Sequence, residues 1–171
     1  MKSGELRIKE KSDNYKCSTI CINRVVKVIE GGRRFRFTAL VVIGYENGVV
    51  GYGKGKGSDV SSALTRAEKS AKKNTFKIPI INGTIPHEVY GYYNGTKVLF
   101  LPSISGTGIK VGSAARVICE LAGVQDVMSK YFKRNSKYNA IMAAINALKK
   151  LRDPVKIAKD RNVSIEKVFK G

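Results

Sequence analysis

The sequence predicts an α+β fold built as two small domains, each a sheet with helices packed on it. Three observations point there. Short β-rich runs alternate with Gly-Gly and Asn-Gly breaks, and stretches with helical spacing of apolar residues follow them. The chain has 171 residues, enough for one domain or two small ones with a proper core. The charge is segregated: of a formal net +19, residues 1–80 carry +10, residues 81–129 carry zero and residues 130–171 carry +9.

Residues 1–16 are polar, Lys-rich and without periodicity, and read as a flexible basic arm. The first domain is expected over 17–80. Ile20, Ile22, Val25, Val26 and Val28 mark a strand over 17–28, broken by Gly31-Gly32. A second strand covers 35–43, where Phe35 and Phe37 alternate with Arg36 and Thr38 before an apolar run. Asn47-Gly48 is a strong short-hairpin signal, and a third strand follows over 49–54. Glycines at 51, 53, 55 and 57 lead to Ser58, an expected N-cap with Asp59 in the first turn. Val60, Leu64, Ala67 and Ala71 then recur at helical spacing, which gives β-β-β-α.

The second domain is expected over 81–152, after a linker at 78–83. Strands at 89–93 and 96–101 flank Asn94-Gly95. A Gly- and Ser-rich loop leads to Ser113, read as the cap of a helix that Gly123 ends. A strand over 124–132 and a helix over 138–151 follow, the latter stopped by Asp153-Pro154. This half reads β-β-α-β-α. Residues 153–171 form a basic C-terminal tail with one short helix. No internal repeat is found.

Composition excludes several function classes. No apolar run approaches the ~18 residues of a membrane span, and no secretory signal is read at the start. Cys17, Cys21 and Cys119 lack zinc spacing, and His87 stands alone, so neither a metal centre nor a triad is expected. No cofactor is expected, and the thiols read as those of a reduced, cytoplasmic protein.

So large a positive excess repels itself and calls for a polyanion; nucleic acid is favoured over an anionic membrane. Gly48-x-x-x-x-Gly53-Lys54 matches a phosphate loop up to the lysine, but Gly55 stands where Ser or Thr would hold magnesium. Nucleotide chemistry, as in a small phosphotransferase, is therefore disfavoured. The glycines could still let backbone amides approach an RNA phosphate, or could only turn the chain. Basic side chains on a β-β-β-α unit suit reading A-form RNA by shape. Arg24, Lys27, Arg33, Arg34 and Arg36 are candidates for one surface, and Lys54, Lys56, Lys69, Lys72 and Lys73 for another. Phe35 and Phe37 are expected in the core rather than stacked on bases.

The run Gly31-Gly32-Arg33-Arg34-Phe35-Arg36-Phe37-Thr38-Ala39-Leu40-Val41-Val42, followed by Asn47-Gly48-Val49-Val50-Gly51-Tyr52-Gly53-Lys54-Gly55-Lys56, resembles the signature of bacterial ribosomal small-subunit protein five. Gly83-Thr84-Ile85-Pro86-His87-Glu88-Val89, Gly106-Thr107-Gly108 and Glu120-Leu121-Ala122-Gly123-Val124 fit that family in order. The resemblance covers about residues 20–152. It implies an N-terminal domain like a double-stranded-RNA-binding domain and a C-terminal left-handed β-α-β domain. It also implies a non-catalytic structural role in the cytoplasmic ribosome. The expected partners are small-subunit rRNA, ribosomal proteins four and eight, and mRNA near the path by which it enters. Gly106 and Arg116 match family positions at the contact with protein four, which influences decoding accuracy. Four features depart from the pattern: Glu30 in place of lysine, Tyr45 in place of the usual Asp or Asn of the turn, Ile104 in its loop, and a basic 133–137 segment. Lys133, Arg134 and Lys137 of that segment are expected to add phosphate contacts. The remaining alternative is a double-stranded-RNA-binding protein outside the ribosome.

Overall fold

The computed structural model describes residues 14–133 and 136–170. Four antiparallel strands make the first sheet, in the order β1 (Lys16–Ile29), β2 (Gly32–Gly44), β3 (Val49–Gly57) and β4 (Thr75–Lys77). Helix α1 (Val60–Lys73) connects β3 to β4. The second sheet is mixed. It contains β5 (Val89–Tyr93), β6 (Thr96–Pro102), β7 (Ile109–Lys110) and β8 (Val127–Lys133), in spatial order β5-β6-β8-β7. Helix α2 (Ser113–Ala122) makes the crossover between the parallel pair β7 and β8. Helices α3 (Lys137–Lys149), α4 (Pro154–Arg161) and α5 (Ile165–Lys170) complete the chain.

The predicted elements are present; β1, β2, β3 and β6 are longer than expected, while β8 and α3 are shorter. Strands β1 and β2 pair to the tip, Ile29 opposite Gly32, so the first hairpin is a long ribbon whose far end stands clear of the core. The arm read over 1–16 lies mostly outside the described residues. Its last two residues are structured: the Tyr15 hydroxyl donates to Glu68, and Lys16 begins β1. The 153–171 tail holds two helices rather than one, and Asp153 starts the first of them by accepting from the Val155 N–H at 3.0 Å. Strands β4 and β7 have no counterpart in the sequence pattern; three and two residues carry no readable period. The caps also shift by one residue. Asp59 rather than Ser58 is the N-cap of α1, and its N–H donates to Ser62 Oγ at 3.4 Å. Gly112 rather than Ser113 is the N-cap of α2, and a Cβ at 112 would meet the Tyr131 ring at 2.8 Å.

The largest correction concerns the glycines at 51, 53, 55 and 57. They neither turn the chain nor cradle a phosphate. They lie in the extended strand β3, paired with Ile43, Val41, Ala39 and Phe37, and all face α1. A Cβ at Gly53 would sit 2.1 Å from the Ala67 carbonyl oxygen, and one at Gly55 2.1 Å from that of Ala63. The helix answers with alanine at 63, 67 and 71, all fully buried. Glycine against alanine thus lets α1 lie directly on the strand backbone, with Ala39, Val41 and Ile43 completing this small core.

The other face of the first sheet is buried only at one end. There Leu40, Val42 and Val50 join one continuous core with the second domain: Val98 and Phe100 of β6, Ile118 and Leu121 of α2, and Ile141 and Ile145 of α3. The joint is also backbone to backbone. The β2–β3 turn donates from Glu46 N–H to Leu121 O at 3.1 Å and from Gly48 N–H to Ala122 O at 2.9 Å, satisfying carbonyls at the end of α2. Gly123 caps that helix at φ +82°, as the sequence predicts, and a Cβ there would meet the Glu46 oxygen at 2.4 Å.

Candidate nucleic-acid interface

Because side chains alternate along a strand, the register decides which cations share a surface. Position 39 faces α1, so 38, 36 and 34 of β2 face away from it. Their partners Lys56 on β3 and Asn23, Val25 and Lys27 on β1 face the same way, as does Lys54 opposite Leu40. The result is a ladder of Lys27, Arg34, Arg36, Lys56 and Lys54 on one face, all exposed. The sequence grouping is therefore redistributed. Arg24 and Arg33 belong to the opposite face, with Lys69, Lys72 and Lys73 of α1.

Two clefts shape the ladder. One, of about 280 Å³, wraps round the edge of the sheet towards α1 and is lined by Arg34, Phe35, Arg36, Lys56, Gly57, Ser58 and Arg66 of α1. Arg66 is held there by donating to the Lys56 carbonyl at 2.8 Å. The other, of about 530 Å³, is lined by Cys21, Asn23, Val25, Arg36, Thr38, Leu40, Lys54, Lys56 and Tyr138. Arg36 and Lys56 line both, and among the described residues no acidic side chain lines either. The Lys54 ammonium sits 4.7 Å from the centre of the Tyr138 ring, so a side chain of the second domain forms one wall.

The α1 side differs. Lys72 is engaged by Glu68 at 3.7 Å and lies 4.2 Å over the Tyr15 ring. Its pKa is raised, first by the Tyr15 hydrogen bond. Arg24 lies 3.8 Å over the Phe35 ring. Phe35 itself is 44% exposed, which overturns the expectation that it is core; Phe37 is half-buried against α1.

The remaining predicted residues fall elsewhere. Lys133 ends β8 opposite Lys97, and Lys137 begins α3 next to Tyr138; both are exposed. Arg134 lies outside the described residues. Gly106 occupies an exposed turn at φ +89° with open space around it. Arg116 is exposed on α2, donating to Glu120 at 2.8 Å. His87 acts as a structural tie, its Nε2 accepting the Arg152 N–H at 3.1 Å and so joining the segment before β5 to the link between α3 and α4. Burial pushes the Cys119 thiol up to about 12, which makes it a poor nucleophile. Among the described residues no group of three His, Cys, Asp or Glu is placed to hold a metal, and no helix is long and apolar enough to cross a membrane.

Two family models match the chain. The family model for ribosomal protein S5, N-terminal domain, matches residues 15–79, and that for its C-terminal domain matches residues 91–161. A small ribosomal subunit protein uS5 from Porphyromonas gingivalis is 43% identical over 166 residues, 96% of each chain. The chain belongs to the ribosomal protein S5 family. Further uS5 relatives agree: that of Flavobacterium psychrophilum is 44% identical over 89% of this chain and 87% of its own length, and that of Salinibacter ruber 41% identical over 95% and 93%. Membership makes it a structural protein of the small ribosomal subunit. The S5-type two-domain α+β fold is the one the resemblance implied.

Proposed function

We propose that the chain binds small-subunit rRNA through the face of β1–β3 that points away from α1. The observation that carries this reading is the cationic ladder over two clefts that, among the described residues, have no acidic lining side chain. Lys54 and Lys56 are two residues apart on one strand, about 6.7 Å. Arg34 and Arg36 repeat that spacing on the next strand. Such a grid can meet successive phosphates on a strand without reading bases, which is the chemistry of shape recognition. Affinity then comes mostly from released counterions. Lys69, Lys72, Lys73, Arg24 and Arg33 contribute long-range attraction from the other side, and Lys133, Arg134 and Lys137 extend the contact from the second domain.

The finer family assignments belong to the same proposal. Gly106 and Arg116 face ribosomal protein four, and the subunit places the chain near protein eight and the mRNA path, where it supports decoding accuracy. No catalytic role is proposed. The test is a footprint on small-subunit rRNA. The parent chain is expected to protect a continuous segment that Arg36→Ala/Lys56→Ala leaves open. Equal protection by both proteins would refute the assignment.

A further inference from the structure

The second sheet has a face that neither the core nor the rRNA ladder uses. Helix α3 covers one side, so close that a Cβ at Gly91 would meet the Ala143 carbonyl at 2.1 Å. The alternate residues point outward. Tyr90, Tyr92 and Phe132 are 38%, 52% and 57% exposed there. Tyr90 and Phe132 lie nearly parallel, 25° apart with centres at 6.5 Å. The Lys97 ammonium sits 4.8, 5.6 and 5.1 Å from the centres of Tyr90, Tyr92 and Phe132, and Lys150 reaches over Tyr92 at 5.4 Å. Lys130 stands exposed on the same face, and β5, β6 and β8 contain no Asp or Glu.

We propose that this face is a stacking platform for an unpaired stretch of the subunit's own rRNA. Exposed aromatic rings interleaved with lysines, without carboxylates, match the π-faces and phosphates of a single strand. An apolar partner alone would leave the lysines uncompensated, so charge complementarity selects a polyanion over an apolar protein surface. The occupant is a permanent one, since aromatic patches of this kind left open favour association. The outward side chains of β5, β6 and β8 carry no amide or carboxylate, so stacking sets the affinity.

The probe is a labelled uridine dodecamer bound by the full chain, with a rRNA-derived duplex as second ligand. Tyr92→Ala/Phe132→Ala removes two exposed rings without touching the core. The expected result is a loss of tenfold or more for the single strand and unchanged duplex binding. In reconstituted subunits the same variant should expose one unpaired rRNA stretch to base-specific reagents. Unchanged single-strand affinity would overturn the proposal. So would a variant whose rRNA reactivity matches the parent while a neighbouring protein is lost from the subunit, which would make this a protein-docking face.

Discussion

Replacing Lys54 and Lys56 by alanine tests the ladder quantitatively. Both are exposed at the ends of their side chains and leave the β3 backbone untouched, so the fold should survive. If the face neutralises about six phosphates, log K for a small-subunit rRNA fragment falls with log salt at roughly −4 to −5. Two lost contacts make that slope shallower by about 1.4 to 1.8. Extrapolated from 1 M to 0.1 M salt, the same change weakens binding roughly 25- to 60-fold. Fluorescence anisotropy over a salt series reads both quantities. Lys72→Ala is the control, because Lys72 lies on the α1 side and is already paired with Glu68. An unchanged slope in the double variant, or an equal change in the control, would refute the placement of the interface.

Other consequences follow from the packing. Gly53→Val drives a side chain into the Ala67 carbonyl 2.1 Å away, and should destabilise the chain by about 3 kcal/mol, read as a thermal midpoint roughly 10 °C lower. A variant as stable as the parent would show that α1 does not lie on β3 as described. The raised Cys119 pKa has a definite sign: unfolding releases a proton between pH 9 and about 12, so stability falls as pH rises through that window, by up to about 1.4 kcal/mol per unit. Denaturant titrations of Cys119→Ala should lack this component; an identical pH slope would contradict it. Arg116→Glu breaks the 2.8 Å pair with Glu120 and reverses the charge of the proposed protein-four contact. Altered miscoding is expected in reporter assays, with Arg116→Gln intermediate, and parent-like accuracy in both would remove Arg116 from that contact.

Much of this was legible in the residues. Period-two and helical spacing placed the longer strands and helices, and Gly123 announced its own cap. The glycines of β3 were misleading because a Gly-rich run ordinarily signals a loop. The countersignal was present: a strict period of two, matched by alanines four apart at 63, 67 and 71. Which cations share a face was not readable from segment charge, because that depends on register. The 47–48 turn fixes Lys54 opposite Leu40, and from there parity separates Arg34 and Arg36 from Arg33 and Arg24. The joint between domains depends on long-range contact of the Glu46 and Gly48 amides with the α2 carbonyls, which no local pattern encodes. The outward alternation of Tyr90 and Tyr92, and of Met128, Lys130 and Phe132, was visible but looked like ordinary half-buried strands.

The most direct measurement is cleavage of rRNA from a tethered radical source in reconstituted small subunits. With the native cysteines replaced, one cysteine is placed at Thr38, on the floor of the larger cleft, and another at Lys69 on α1. Strong cuts clustered on one rRNA segment from position 38, and weak ones from 69, are the expected result. Strong cuts from 69 with none from 38 would put the RNA on the wrong side of the sheet.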